Sequence, residues 1–323
     1  MTGGAFKNTS NLLARRREVE ELDYRISDVC DHSHIYDGLF PNCQQRGDLK
    51  MQRGKAVRIL INLFVIAAAT ISMIPFVLMF FMATQDNQMI FAGDIFRIGK
   101  ALRNNFQTIL DADYFRSLLN SLVVALSSTF LTVFFGAMAG FGFAKYEFKH
   151  KKMLLQLVIL TMMVPMEVGL VAYVWEMRVL HLSKTFLPLI LPNIANAFGV
   201  FWMTQYIGDA FPYELMESSW LDGCTDMGIF LKMVLPIVKP ALFTLSIIAF
   251  LQSWNSYLLP MIMINDPKMF TIPLVIASIG NMFVADYGAR ILAVVVGILP
   301  IMIIFMIFSK QITEGLASGA VKG

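Results

Sequence analysis

Charge is what this chain has little of. Only 15% of its 323 residues are Asp, Glu, Lys or Arg, whereas 57% are hydrophobic. Soluble domains carry about 25% charged residues, so the composition, with a mean hydropathy of +0.63, excludes an ordinary soluble protein and reads as integral to a membrane. The net charge of +3 supplies no basic field for nucleic acid. Cysteine is also scarce: Cys30, Cys43 and Cys224 are an odd number and make no disulfide framework. No secretory signal is visible, because residues 1–57 are polar and too long for an n-region and the first apolar run is too long for an h-region.

Catalytic and metal-binding patterns are lacking too. A phosphate-cradling loop needs G-x4-G-K-[ST]; the nearest stretch, Gly93 to Lys100-Ala101, has the wrong spacing and no hydroxyl after the lysine. Cys30, His32, His34 and Cys43 read C-x-H-x-H-x8-C, without the paired spacing of structural zinc. With four histidines and few acids in apolar segments, no triad or metal cluster emerges. The chain is therefore expected to be no enzyme and to carry no cofactor or metal; the 22 methionines read mostly as apolar filler.

Long apolar runs are abundant. About 20 apolar residues cross a bilayer as a helix, and six segments qualify: near 58–83, 117–144, 153–174, 186–206, 240–264 and 290–309. The expected fold class is an all-α membrane protein with six transmembrane helices. In the second segment Gly136 and Gly140 have the G-x-x-x-G spacing that lets another helix approach closely. The third is the least regular, containing Pro165 and Glu167. If the N-terminus is cytoplasmic, 18 of the 26 Lys and Arg fall in inside pieces, including Lys145, Lys149, Lys151 and Lys152 in one short loop. Both termini are thus expected to be cytoplasmic. The organisation reads as an N-terminal extension at 1–57, a membrane domain at 58–309 and a tail at 310–323. Within the extension, Leu12, Val19, Leu22, Ile26 and Val29 suggest one amphipathic helix, and 28–48 reads as irregular.

One polar island stands in the greasy second half, from Tyr213 to Leu242, inside a cytoplasmic loop at 207–239. Glu214 and Glu217 suit the positive end of a short helix. Met216, Trp220 and Leu221 offer that helix an apolar face, and Gly223 permits a turn. A second short helix is expected over 228–234, its extension limited by Pro236 and Pro240. A rigid helix–turn–helix in this place can push on two membrane helices; an ordinary amphipathic loop lying on the lipid surface reads the same way.

Glu217-Ser218-Ser219-Trp220-Leu221-Asp222-Gly223-Cys224, then Gly228-Ile229 and Leu235-Pro236, resembles the EAA loop of ABC importer permeases, with small residues replacing the usual alanines. Asn120-Ser121, Phe143-Ala144-Lys145, Met162-Met163-Val164-Pro165, Ser253-Trp254-Asn255 and the ending Gly315 to Gly323 are similar to further stretches of that family. The ending in particular resembles its maltose-type, MalG-like carbohydrate branch. The likeness covers about 57–323. It implies the type I ABC importer permease fold in a bacterial cytoplasmic (inner) membrane. It also implies a second permease subunit of related fold, two ATPase subunits and an extracytoplasmic substrate-binding protein as partners. By resemblance, Glu217, Ser218, Ser219, Asp222, Gly223, Gly228, Leu235 and Pro236 couple to the ATPase, Gly315, Gly319 and Lys322 of the tail contact it, and the segment near 265–290 meets the binding protein.

A sugar pathway would use aromatic faces, amides and hydroxyls. Gln252, Trp254, Asn255 and Tyr257 supply them in the fifth segment, and Asn193 and Asn196 in the fourth. Asn255 is costly in lipid unless it faces protein or water, so a helix–helix hydrogen bond explains it equally well. Glu167 is the clearest ionisable residue at membrane depth: it could bind substrate, cap a broken helix after Pro165, or pair with a partner. A sugar or oligosaccharide importer is the favoured reading. The same machinery carrying a peptide, amino acid or glycerophosphodiester is the alternative. An ion-coupled carrier would need more membrane acids and an inverted repeat, and a receptor would leave the island without purpose.

Overall fold

The computed structural model describes residues 41–280 and 285–320, with side chains from 57 to 306 except at 166. Among these residues regular structure is helical, apart from one isolated bridge between Gly280 and Ala285. The helices are α1 Pro41–Met82, α2 Asn87–Ala92, α3 Leu102–Asp111, α4 Tyr114–Lys145, α5 Lys151–Thr161, α6 Leu170–Val179, α7 Leu187–Ile190 and α8 Ala197–Ala210. There follow α9 Tyr213–Leu221, α10 Asp226–Ile237, α11 Lys239–Trp254, α12 Leu258–Met263, α13 Ile272–Ser278 and α14 Tyr287–Ala320. The predicted N-terminal amphipathic helix and the Cys30–His32–His34 cluster lie outside the described residues, as does the side chain of Cys43. Helix already begins at Pro41, so the irregular stretch expected up to residue 48 is helical over 41–48.

Among the described residues, four helices are long and apolar enough to cross a membrane: 57–82 of α1, α4, Leu187–Ala210 and 287–306 of α14. They become five if α10 and α11, bent by 82° at their junction, form one span. The third expected segment is not one helix. Pro165 has no amide hydrogen and pushes the residue before it out of the helical region, so α5 stops at Thr161. A 3₁₀ turn at Met166–Gly169 then leads into α6. The fifth is shorter than expected, because α11 ends at Trp254 and α12 restarts at Leu258.

Helix α4 is the spine. Its 32 residues extend about 48 Å at 1.5 Å per residue, and two core clusters form at its two ends. Near its start Tyr114 and Ala125 pack with Phe250, Trp254, Ile272, Val275, Leu292 and Ala293. Tyr114 is fully buried and its hydroxyl donates to the Ala293 carbonyl at 2.5 Å. Tyr114→Phe should lower stability in detergent by about 1 kcal/mol, the net worth of one hydrogen bond; chemical denaturation of the purified chain measures this. Near the end of α4, Ala137 and Phe141 pack with Met203, Ile207, Met216, Phe230, Val234 and Leu245. Between these ends Gly136 and Gly140 meet α8, where Gly199 and Met203 lie against them.

At the first end, polar side chains fasten the connecting segments. Asn105, buried, donates to the carbonyls of Ala83 and Gln85. Asn87 bridges the Ala285 carbonyl and the Tyr287 amide. Asn120 donates to the carbonyls of Lys268 and Phe270, and Ser121 accepts from the Ile272 amide at 2.7 Å. The Asn120-Ser121 pair therefore holds the loop that leads into α13.

Candidate functional site

Two features stand out, at different depths of the fold: the α9–α10 arm and a cavity beside α11.

The arm is built by capping chemistry. Helix α9 ends in a Schellman motif: Gly223, at φ +79°, donates from its amide to the Trp220 carbonyl, and Cys224 donates to the Ser219 carbonyl at 2.9 Å. Thr225 then caps α10, its hydroxyl accepting from the Gly228 amide. A Cβ at Gly228 would stand 3.2 Å from that hydroxyl, which makes glycine the comfortable residue there. Within α10 the stretch Phe230–Val234 is wound as π-helix, with the Leu235 amide reaching the Phe230 carbonyl five residues back. That widened turn directly precedes Pro236, whose ring would clash with the carbonyl four residues earlier in a regular helix. The expected helix over 228–234 is thus longer, Asp226–Ile237, and the chain turns by 82° at Val238 before α11.

The arm is fastened to the spans on its inner side only. Met216, Ile229, Phe230 and Val234 are buried among Phe141, Met203 and Ile207. Phe230 stacks on Phe141 at 5.7 Å between ring centres, and Ser219 donates to the Leu215 carbonyl while touching the Met233 sulfur. The expected apolar face divides here. Met216 is fully buried, whereas Leu221 is 90% exposed and Trp220 39%. At about 100° per residue Leu221 points about 140° away from Met216 and so faces outward once Met216 occupies the core, whereas Trp220, only about 40° from Met216, lies at the edge of the buried face. Trp220 lies edge-on to Tyr213 and its indole donates to the Asp226 carboxylate at 2.8 Å. Glu217, Ser218, Asp222 and Pro236 are exposed and Leu235 half-buried. Next to the arm Tyr146 is the first residue after α4, and burial together with the Asp226 carboxylate pushes its phenol above the usual range.

The cavity has a volume of about 620 Å³ and is lined by Glu167, Asn193, Asn196, Gln252, Ser253, Ser256 and Tyr257 among others. Part of its wall is the unwound backbone at 162–169. Irregular backbone at membrane depth is tolerated where it lines a water-filled space or is buried in protein, so the proline break and the cavity explain each other. Asn193 is held by the Leu189 carbonyl and the Ser128 hydroxyl, and Asn196 caps α8 by accepting from the Gly199 amide.

The expected pathway residues do not all converge. Glu167, Asn193, Gln252 and Tyr257 share this cavity. Trp254 and Asn255 lie against a second one of about 480 Å³ with Arg290, and Trp254 is buried, stacked on Phe250. Gln252 and Trp254 are about 200° apart on α11, and Asn255 and Tyr257 lie in the break between α11 and α12, so the four residues face two cavities. Ser256 and Thr161, also on the first cavity, had no distinguishing sequence signal. In the tail, α14 carries Gly315 and Gly319 in its helical stretch to Ala320, with side chains beyond 306 and all of Lys322 outside the described residues.

Residues 132–317 match the family described as binding-protein-dependent transport system inner membrane component. The chain is 39% identical over 210 residues to the arabinooligosaccharides transport system permease protein AraQ of Bacillus subtilis, covering 65% of this chain and 74% of that protein. It is 29% identical to the lactose transport system permease protein LacG of Rhizobium radiobacter, covering 79% of this chain and 93% of that one. It is 31% identical to the trehalose transport system permease protein SugB of Mycobacterium tuberculosis, covering 68% and 82%. Among solved structures, a bacterial ABC transporter involved in the import of the acidic polysaccharide alginate superposes with a TM-score of 0.65 at 19% identity, over 81% of this chain and 97% of that one.

Proposed function

This chain belongs to the family of binding-protein-dependent transport system inner membrane components, and from that membership we propose how it works. It is a multi-pass permease subunit of an ATP-driven importer for a sugar or oligosaccharide. It forms part of the translocation pathway and takes its stroke from a separate ATPase through α9. Relatives named for arabinooligosaccharides, lactose and trehalose, and the amides and hydroxyls around the cavity, favour carbohydrate over peptide or amino acid cargo. Two ATPase subunits, a second permease of related fold and an extracytoplasmic binding protein complete the machine, with both termini and the arm on the cytoplasmic side. The tail with Gly315, Gly319 and Lys322 reaches the ATPase as well. Glu167, Asn193, Gln252 and Tyr257 face the solute.

The observation that carries this reading is the two-sided arm. Its inner side is locked into α4, α8 and α11 through Met216 and Phe230, while Glu217 and Leu221 stand free on the outer side. A force applied outside is therefore transmitted to three helices without a slack joint. Leu221→Asp should leave the membrane level of the chain unchanged and reduce co-purification of the ATPase in mild detergent at least about tenfold, as loss of an exposed apolar anchor does at interfaces. Undiminished recovery of the ATPase would remove α9 from the contact.

A further inference from the structure

We infer that Glu167 makes the cavity beside α11 electrostatically selective, so that it admits neutral and cationic sugars and disfavours anionic ones such as uronates or sugar phosphates. The inference rests on the reading of that cavity as part of the solute pathway, and adds the sign of the solute to it.

The lining mixes apolar and polar side chains and is uncharged except at one point. Asn193, Asn196, Gln252, Ser253, Ser256 and Tyr257 offer neutral donors and acceptors, the chemistry of sugar hydroxyls. Among the described residues, no Lys, Arg or His lines the cavity, and Glu167 is its one carboxylate. The ion pairs among the described residues, Arg97–Asp94 and Lys151–Glu147, do not involve it. Glu167 stands in the first turn of the 3₁₀ segment after Pro165, exposed. Its charge is therefore directed at whatever enters. An anion placed about 4 Å from a carboxylate is disfavoured about fivefold even at the dielectric of water, and more strongly where protein walls lower it. A cation is favoured by the same factor. A pathway for acidic sugars would need the reverse, a cation on this wall.

The test reads the field directly, with charged solutes. In the full-length chain, assembled with its partner subunits, Cys30, Cys43 and Cys224 are replaced by serine and a single cysteine is placed at position 256. Its modification rates by a cationic aminoethyl and an anionic sulfonatoethyl methanethiosulfonate are divided by each other, which cancels the reactivity of the thiol itself. A neutral methanethiosulfonate reports that the site remains accessible, and a second reporter at position 253 replaces the first if it does not. The cationic-to-anionic ratio should fall at least about fivefold in Glu167→Gln, hold in Glu167→Asp, and invert in Glu167→Lys. An unchanged ratio in Glu167→Gln overturns the proposal. Failure of the pathway reading would show separately, as sugar uptake undiminished after the thiol at position 256 is modified, and would leave this ratio as it was.

Discussion

Gly223→Val should abolish solute uptake while leaving the chain inserted in the membrane at its normal level. The reason is conformational. Gly223 holds φ +79° with nothing within 4 Å of the position a Cβ would take, so the substitution meets no steric wall. It meets backbone strain, about 1–2 kcal/mol for an ordinary L-residue in this region and worse for a β-branched one. That is far too little to unfold a membrane domain. It is enough to shift the turn out of the left-handed region, which breaks the two hydrogen bonds from Gly223 and Cys224 back to α9. The direction of α9 relative to α10 is set by those bonds. Uptake of labelled sugar into proteoliposomes holding the whole transporter, against immunodetection of the chain in the membrane, separates the two effects. Glu217→Lys should behave alike for a different reason, since it reverses an exposed charge on the outer side without touching the turn. Normal uptake in both variants would defeat the coupling role of the arm.

Gly140→Leu should instead cost the fold itself. A Cβ at Gly140 would lie 2.6 Å from the Met203 Cβ, 2.8 Å from the Met203 carbonyl carbon and 2.9 Å from the Thr204 nitrogen. Most of these neighbours are backbone, so no rotamer change relieves the clash and α4 and α8 must separate. Overpacking of this kind typically costs 1–3 kcal/mol and more where the backbone must move. Here it strikes the contact that buries Met203 and Ile207 completely. The expected result is loss of most folded protein in detergent, read as the monodisperse fraction on size exclusion and the midpoint of thermal aggregation. Gly142 is the internal control: nothing lies within 4 Å of its would-be Cβ, so Gly142→Ala should be close to neutral. Equal behaviour of the two variants would mean that helix propensity, not close approach, governs this segment.

Some of the molecule is legible without coordinates because the physics is local. Apolar runs of spanning length declare themselves, since every residue of such a segment must be compatible with lipid; α1, α4, the α7–α8 stretch and α14 follow from this. Glycine at 223 and proline at 236 announce a turn and a helix limit, because each acts through its own backbone. The break at Pro165 was foreshadowed by the same token, although a continuous third span was expected across it. Which way a side chain points is a different matter. Met216, Trp220 and Leu221 are equally apolar in sequence, yet only Met216 enters the core, because the orientation of α9 is dictated by Phe141, Met203 and Phe230 from three other helices.

The same limit governed the pathway residues. Gln252, Trp254, Asn255 and Tyr257 sit close together on the chain, yet nothing local shows that α11 ends at Trp254, or that Gln252 meets the cavity with Glu167 while Trp254 packs on Phe250. What the amino-acid sequence determined by itself was a polytopic helical membrane protein, a polar arm with a turn at Gly223 between two apolar segments, and small residues where a helix comes close. Only the tertiary structure decided that the small residues of α4 face α8, that the arm exposes Leu221, and that the break at Pro165 brings Glu167 to a cavity. The physical reason is that propensity, capping and hydropathy are summed along a few turns of chain, whereas burial and cavity shape depend on contacts between residues far apart in it.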